Sequence, residues 1–311
     1  MQEKMENIPS NVIIKTNYFY TKRMLSFHFF PTIIERIMNY IKKYQKNYKN
    51  LEIEAKLGRF EFEGEFMKNL EKINEIFVIP DNIKKTFNEK FNFVTGVYPR
   101  NFFLIWSALE KEARLIGANI ECIKPIIYKD ILYKGNKRKS IIFRDGKLIE
   151  EVIRKEDKEN INVRNNGFDF RITCSKEMPT EIDEKKDLLE NIREKYRIRY
   201  QLSLYRVDLT LSKDKNKNKE YYEIEIEMNL LRKELDGVKQ VNENKIREIL
   251  YSFIQNIFNL YSVLMPEAIV YNAKREKKMN NEKSSNKRLK DEEIKSIFGN
   301  YFKNNLYKIE K

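Results

Sequence analysis

The stretch YYEIEIEM, residues 221–228, places Glu223, Glu225 and Glu227 at every second position among apolar residues. Side chains two positions apart share one face of a β-strand, so the three carboxylates form a row on one face and apolar side chains form the other. Glutamate is a poor strand former, and a row of like charges repels itself unless cations lie opposite. The stretch therefore predicts a strand whose charged face needs a compensating partner.

A second stretch, LEIEAKLGRF at residues 51–60, has the same alternation. Its polar face carries Glu52, Glu54 and Lys56, and its other face is apolar. Two strands of the chain are thus expected to present carboxylates along one face.

Two further segments, REKYRIRY at 193–200 and RVDLT at 206–210, carry mainly cations in the same alternation. Their polar faces hold Arg193, Lys195, Arg197 and Arg199 in the first segment, and Arg206, Asp208 and Thr210 in the second. An ordinary antiparallel sheet with its polar face in water explains each strand taken alone. Four such strands together favour a closed barrel, with the apolar faces outward under helices and the charged residues lining a tunnel.

Short alternating segments separated by turn residues extend from about residue 130 to 229, which is typical of a β-meander. Asp145-Gly146 fits a two-residue hairpin, because this pair supplies the positive φ that such turns need. Asn165-Asn166-Gly167 predicts a second turn, and KDKNKNK at 213–219 predicts a solvated loop.

Helical periodicity appears on both sides of the predicted strands. The first helix follows Pro31, and a helix of about twenty residues follows the last strand; less regular helical pieces are expected at 65–77, 104–115 and 292–307. The two apolar stripes are Ile33, Ile34, Ile37, Ile41 and Tyr44 in the first helix, and Ile246, Leu250, Phe253, Ile254, Ile257 and Phe258 in the later one.

The predicted fold is mainly β, of the α+β class: an antiparallel β-barrel tunnel with flanking α-helices, which the family resemblance given below implies is eight-stranded. Residues 1–30 are expected to form an N-terminal extension, 31–272 the catalytic tunnel domain, and 273–311 a basic and largely flexible tail. The stretch 274–290 is compatible with a solvated tail, a nuclear localisation signal or an RNA contact.

The composition excludes several kinds of chemistry. Sixty-one Lys and Arg residues against 47 Asp and Glu residues give a net charge of +14, which suits a polyanionic partner, although a Lys-, Asn- and Ile-rich composition can also arise from nucleotide bias. The single histidine, His28, and the two cysteines, Cys122 and Cys174, are too few for a zinc site or a disulfide framework. No signal sequence and no membrane-spanning apolar run is apparent, so the sequence predicts a protein that is neither secreted nor inserted in a membrane.

Carboxylate ligands without histidine or cysteine suit hard cations, so Mg²⁺ or Mn²⁺ is the expected metal. Arginine and lysine facing such a metal would bind a polyphosphate. This combination indicates phosphoryl transfer, in which positioning and charge stabilisation dominate catalysis.

Five segments resemble one known family, the triphosphate tunnel metalloenzymes, and within it the fungal and protozoan type of mRNA-capping RNA 5′-triphosphatase. LEIEAK at 51–56 and EIEIE at 223–227 resemble its two glutamate-rich metal-binding strands. FDFRITCSKEMP at 168–179 resembles its strand that ends in a catalytic glutamate before a proline. KYRIRY at 195–200 and RVDLT at 206–210 resemble its phosphate-binding strand and its R-x-D-x-T strand, and all five occur in the family's order.

The resemblance implies a role for each matching residue. Glu52, Glu54 and Glu227 would bind the metal, and Glu177 would orient the attacking water. The γ-phosphate would be held by Lys195, Arg197, Arg138 and Lys155, with Arg144 and Arg154 as alternatives to the last two. Lys56, Arg199 and Arg206 would contact the substrate or neighbouring groups, and Asp208, Thr210, Glu223 and Glu225 would support them.

The resemblance also implies the function: metal-dependent removal of the γ-phosphate of 5′-triphosphate RNA, the first step of mRNA capping, with hydrolysis of nucleoside triphosphates as a side activity. A tripolyphosphatase or thiamine triphosphatase of the same superfamily, and a non-catalytic tunnel that binds RNA or polyphosphate, are the alternatives. A separate mRNA guanylyltransferase is the expected partner, and both a monomer and a homodimer remain open. The expected location is the nucleus, or the cytoplasm for a virus or element that replicates there.

Overall fold

The computed structural model describes residues 29–44, 50–63, 77–79, 90–114, 120–144, 146–164, 169–183, 185–202, 204–228 and 242–277 of the chain. Within them the elements follow in the order α1 (Phe29–Lys43), β1 (Leu51–Glu63), β2 (Phe77–Val78), β3 (Lys90–Thr95), α2 (Pro99–Ala113), β4 (Glu121–Tyr133), β5 (Lys137–Arg144), β6 (Lys147–Arg164), β7 (Asp169–Pro179), β8 (Leu189–Gln201), β9 (Tyr205–Asp214), β10 (Lys219–Met228) and α3 (Glu243–Lys277). None of the described helices is long and apolar enough to cross a bilayer.

Eight strands close into an antiparallel barrel in the order β1, β10, β9, β8, β4, β5, β6, β7 and back to β1. Pairing between β1 and β10 closes the barrel, with Glu54 opposite Glu227 and Lys56 opposite Glu225. Two strands lie outside this circuit: β3 pairs with the end of β1, and β2 pairs with the end of β6. The predicted eight-stranded tunnel is confirmed.

The antiparallel order gives the barrel two distinct ends. The β4–β5 and β9–β10 turns lie at one end, which we call the β4–β5 end. The hairpin turn between β5 and β6 lies at the other end, which we call the β5–β6 end.

The apolar faces of the strands point outward and are covered by the helices. Phe258 of α3 packs edge-on against Phe30 of α1 and Phe170 of β7, with ring centroids 5.6 and 5.4 Å apart. Phe102 of α2 packs in the same way on Tyr222 of β10, at 5.5 Å. Because the helices bury the apolar faces, the polar faces are left to line the inside of the barrel.

Both predicted helical stripes are confirmed. Ile33, Ile37 and Ile41 of α1 are 0–1% exposed, and the stripe of α3 is equally buried. The helix α3 extends from Glu243 to Lys277, so it is longer than the helix of about twenty residues that the sequence predicts. The helix α2 starts at Pro99, earlier than predicted, because proline is accommodated in a first helical turn.

One predicted turn agrees with the structure and one loop differs from it. Gly146 has φ of 78° between β5 and β6, as a tight hairpin requires. The predicted 213–219 loop is shorter, because Lys213, Asp214 and Lys219 belong to the paired strands. The predicted turn at 165–167, the helical residues 65–76 and 292–307, and His28 lie outside the described residues.

Gly58 lets β3 lie close against β1. A Cβ atom at this position would lie 2.4 Å from the carbonyl oxygen of Val94 and 2.7 Å from the ring of Phe93. Neither distance is tolerated without movement of β3, so this contact depends on the absence of a side chain.

We expect Gly58→Ala to lower the free energy of unfolding by about 1–3 kcal/mol, the usual cost of overpacking. Gly135→Ala is the control, since a Cβ there meets nothing within 4 Å and only the positive φ of 78° is strained. Denaturant unfolding of both variants measures the difference. A Gly58→Ala variant as stable as the wild type would show that β3 does not pack on Gly58 in solution.

Candidate active site

Three carboxylates lie together inside the barrel. Glu54 of β1 is opposite Glu227 of β10, and Glu52 lies on the same face one step along β1. Their side chains are buried, with 5–7% exposure. Burial raises the pKa of Glu227 to about 7, and nearby Glu52 and Glu54 act in the same direction while Arg206 opposes them. The three predicted metal ligands therefore form one buried cluster of carboxyl groups.

Basic side chains now hold these carboxylates. The ammonium group of Lys155 contacts Glu52 and lies 3.6 Å from an oxygen of Glu54. The hydroxyl of Ser175 donates to Glu52 at 3.0 Å, and Arg206 pairs with Glu227. Although burial opposes it, the pKa of Lys155 is raised by Glu54 and Glu52.

Within the described parts of the chain, no three His, Cys, Asp or Glu side chains converge closely enough to hold a metal ion as they stand. The donor set nevertheless fits a hard divalent cation, because Glu52, Glu54 and Glu227 offer carboxylate oxygens alone. Lys155 and Arg206 occupy some of those oxygens, so metal binding would require them to move aside.

The two predicted phosphate-binding cations of β8 point into the tunnel and are fixed by acids. Lys195 pairs with Asp130 at 2.8 Å. Arg197 pairs with Asp208 at 2.9 Å and Glu225 at 3.1 Å, and its Nε donates to Thr210 at 2.9 Å. Although burial opposes it, Asp208 and Glu225 raise the pKa of Arg197 well above its usual value. Both cations are therefore held by acidic partners inside the tunnel.

Asp208 connects three arginines. It accepts two hydrogen bonds from Arg199, at 2.7 and 2.8 Å, besides the contact with Arg197, and Arg206 lies 3.7 Å away. Burial raises the pKa of this carboxyl, but the arginines, with Arg197 the strongest, lower it overall. The predicted supporting role of Asp208 matches this arrangement.

Lys56 lies between two acids from different strands. Its ammonium group is 2.6 Å from Glu225 and 3.2 Å from Glu54. Burial would lower the pKa of Lys56, yet Glu225 and Glu54, with a smaller effect from buried Glu223, raise it overall.

Glu177 lies beside two predicted phosphate-binding cations. Its Oε1 is 3.5 Å from Lys155 and 3.6 Å from Arg138. Glu177 follows Ser175 by two positions on β7, so it shares the interior face near Glu52. Glu177, the two cations and the carboxylate cluster are thus adjacent.

Two alternatives for phosphate contacts follow from the sequence, Arg144 in place of Arg138 and Arg154 in place of Lys155, and the structure separates them. Arg138 lines the tunnel cavity, whereas Arg144 is exposed at the end of β5. Lys155 points inward, whereas neighbouring Arg154 is exposed and pairs with Glu156. The geometry favours Arg138 and Lys155 as phosphate contacts.

Three interior residues were missed by sequence reasoning. Asp130, Lys158 and Arg171 all line a cavity of about 310 Å³ that reaches the β4–β5 end, as does the predicted Arg193. Asp130 sits in YKDILY, where an isolated acid gives no signal. Lys158 is out of phase with Lys155, and a register shift between Glu156 and Glu159 brings it to the same face.

The cavity has a cationic lining. Eight of its lining residues are Lys or Arg and three are Asp or Glu, which favours a polyanion. Cys174 does not line the cavity: its side chain is fully buried, and burial raises the pKa of its thiol.

Asp130 lines the cavity and contacts both Lys195 and Ser140. The serine hydroxyl donates to its carboxylate at 2.7 Å. Burial would raise the pKa of Asp130, but Lys195 and Arg138 lower it below its usual range. The carboxylate therefore stabilises the fold above the unfolded-state pKa of about 4, and this contribution is lost as the pH falls below that value.

We expect Asp130→Asn to lower the free energy of unfolding by about 3 kcal/mol at pH 7, because Lys195 loses its buried partner. The difference in the free energy of unfolding between variant and wild type should stay constant from pH 8 to about pH 5 and become smaller below about pH 4. Urea unfolding across this range measures it. A stability difference that stays the same down to low pH would contradict a lowered pKa for Asp130.

A comparison with protein families finds a match over most of the chain. A family model described as mRNA capping enzyme, beta chain, matches residues 27–264, well over half of the chain. No curated protein matches the sequence at a significant level.

Two solved structures of the S. pombe Pct1 RNA triphosphatase are similar in fold. The first covers 73% of this chain and 91% of its own, and the second, in complex with the Spt5 CTD, covers 75% and 93%. Each has a TM-score of 0.58 and 18% sequence identity, a level that supports a shared fold. The family match covers the barrel and all the residues of the site, so the chain belongs to the mRNA capping enzyme beta-chain family and is an RNA 5′-triphosphatase of the tunnel type.

Proposed function

We propose that this enzyme hydrolyses the γ-phosphate of 5′-triphosphate RNA with a Mg²⁺ or Mn²⁺ ion held by Glu52, Glu54 and Glu227. The observation that carries the proposal is the meeting of a buried carboxylate cluster and a set of fixed cations inside one closed tunnel. A tunnel that merely bound polyphosphate would gain nothing from glutamates directed at its ligand.

The metal would supply charge neutralisation for the phosphate oxygens, and the three glutamates are its proposed ligands. Their oxygens now contact Lys155 and Arg206, and both cations are long enough to turn toward a phosphate instead. Lys155 and Arg206 would thus contact the carboxylates in the free enzyme and the substrate phosphates in the complex.

Lys195, Arg197, Arg138 and Lys155 are the proposed contacts of the γ-phosphate. Lys195 and Arg197 are held by Asp130, Asp208 and Glu225, so their charges are in place before the substrate enters. A preorganised charge stabilises the transition state without the cost of reorganising solvent.

Glu177 is proposed to orient the attacking water. Its carboxylate lies 3.5 Å from Lys155, so a water bonded to it would lie beside the phosphate that Lys155 holds. The water oxygen forms the new bond to the γ-phosphorus, and the bond to the bridging oxygen breaks. The bond's electron pair stays on the β-phosphate, and Glu177 accepts the proton of the water.

The product would be an RNA with a 5′-diphosphate end and inorganic phosphate. A separate guanylyltransferase is the proposed consumer of that end. Capping of nuclear transcripts would place the enzyme in the nucleus, and a viral or cytoplasmic element would place it in the cytoplasm.

We expect Glu52→Gln and Glu227→Gln each to lower turnover on γ-labelled triphosphate RNA by on the order of 10² or more, since each change removes a charge from the proposed metal site. Glu61→Gln, on the exposed part of β1, is the matched control and should retain activity. Phosphate release with Mg²⁺ or Mn²⁺, with tripolyphosphate as a parallel substrate, measures both turnover and preference.

Wild-type turnover by Glu52→Gln or Glu227→Gln would contradict the proposed metal site. Hydrolysis of tripolyphosphate alone by the wild type would instead contradict the proposed substrate.

Neighbouring residues on β5 and β6 give a second test. Lys155→Ala and Arg138→Ala should each lower kcat on RNA by on the order of 10², because each loses a charge inside the tunnel. Arg154→Ala and Arg144→Ala remove the same charge outside the cavity and should stay within about twofold of wild type. Single-turnover kinetics measures all four, and equal losses within either pair would contradict the assigned register.

A further inference from the structure

Three cations that line the cavity, Lys158, Arg171 and Arg193, form no ion pair within the described residues, and Arg193 lies opposite Asp214 on the next strand. Lys56, Lys137, Lys155, Lys195 and Arg197 each pair with a carboxylate. Among the residues that the structure describes, no carboxylate lies within ion-pair distance of Lys158 or Arg171. Both line the cavity, so they leave uncompensated positive charge there.

Arg171 is held in place by neutral groups. Its Nε donates to the amide oxygen of Asn162 at 2.7 Å, and its guanidinium lies over the ring of Phe93, 4.6 Å from the ring centroid. Phe93 is itself fixed against Gly58. The side chain is therefore positioned without losing its charge, and burial lowers the pKa of Arg171 as expected for a cation without an acid beside it.

Lys158 reaches the cavity through a bulge in β6. Asp157 has a positive φ of 49°, and the register shifts between Glu156 and Glu159. From outside the barrel, the Tyr40 hydroxyl of α1 donates to the Asp157 carbonyl at 2.9 Å, and Arg36 lies 3.5 Å from Glu159. The helix thus supports the backbone that carries Lys158.

Arg171 lies toward the β4–β5 end from the carboxylate cluster. It is opposite Lys56, and its guanidinium lies over the ring of Phe93, which packs against Gly58, one interior step of roughly 6.6–7 Å beyond Lys56 on β1. Lys158 lies near Arg171, because burial and the nearby charges of Lys56, Lys155 and Arg171 lower the pKa of Lys158. A triphosphate with its γ-phosphate at the cluster would place its α-phosphate near the level of Lys56. The next phosphate of an RNA chain would then reach the open part of the cavity.

We propose that Lys158 and Arg171 form a subsite for the phosphodiester group that follows the 5′-triphosphate of RNA, and that this subsite makes the enzyme prefer RNA ends over free nucleoside triphosphates. The inference rests on the proposed function and goes beyond it, because the γ-phosphate chemistry uses neither residue. A free nucleoside triphosphate has no phosphodiester group to place there.

The test compares wild type with the double variant Lys158→Ala/Arg171→Gln on two substrates, a triphosphate-ended RNA pentanucleotide and ATP. For the RNA, KM should rise on the order of tenfold, as expected for loss of a charged hydrogen-bonded contact. The slope of log(kcat/KM) against log salt should become less steep by about 0.7, the change for one lost phosphate contact on a single strand. For ATP, neither KM nor the slope should change.

Two further variants serve as controls. Lys158→Arg keeps the charge and should keep the RNA preference, and Lys147→Ala removes a lysine at the β5–β6 end and should leave both substrates unaffected. Thermal unfolding of each variant shows whether it folds.

Equal losses on RNA and ATP would overturn the inference, since the two residues would then contact the triphosphate itself. Unchanged RNA kinetics in a folded double variant would overturn it as well. Activity of the wild type on RNA reports on the proposed function separately from the ratio between the two substrates.

Discussion

The structure depends on charge compensation inside a closed barrel. Three glutamates on β10 and two on β1 face the tunnel, and each strand alone would repel itself. Lysines and arginines on neighbouring and opposite strands lie between the acids, as Lys56 does between Glu54 and Glu225. Removing one member would leave a buried charge without its partner, which costs far more than a surface ion pair contributes.

The same compensation explains why the site is ready for a highly charged substrate. The cations on β8 are held by Asp130, Asp208 and Glu225, so they remain in place when phosphates arrive. Lys155 and Arg206, by contrast, bind the glutamates that a metal would need. The free enzyme thus combines fixed positive groups with two that can exchange partners.

Much of the fold was predictable from the sequence, because the strands alternate strictly and their outer faces pack under amphipathic helices. The alternation places Glu52, Glu227 and Arg197 on the polar faces of their strands, and the four charged strands taken together indicate that those faces line a tunnel. Asp130 was not predictable, since a single acid between apolar residues resembles any strand end. Lys158 was missed because the bulge at Asp157 reverses the alternation, and the backbone angle that causes it has no signature in the residue types nearby.

The pairing that closes the barrel also bears on how the chain can be made. Lys56 meets Glu225, a partner 169 residues away in sequence, so β1 stays unpaired on that edge until β10 has left the ribosome. Until then the growing chain exposes an open sheet edge on β1. Contacts so distant in sequence form slowly. Nascent chains of this enzyme are therefore vulnerable to aggregation up to the synthesis of the last strand, and a chain cut short before residue 228 gains no closed tunnel.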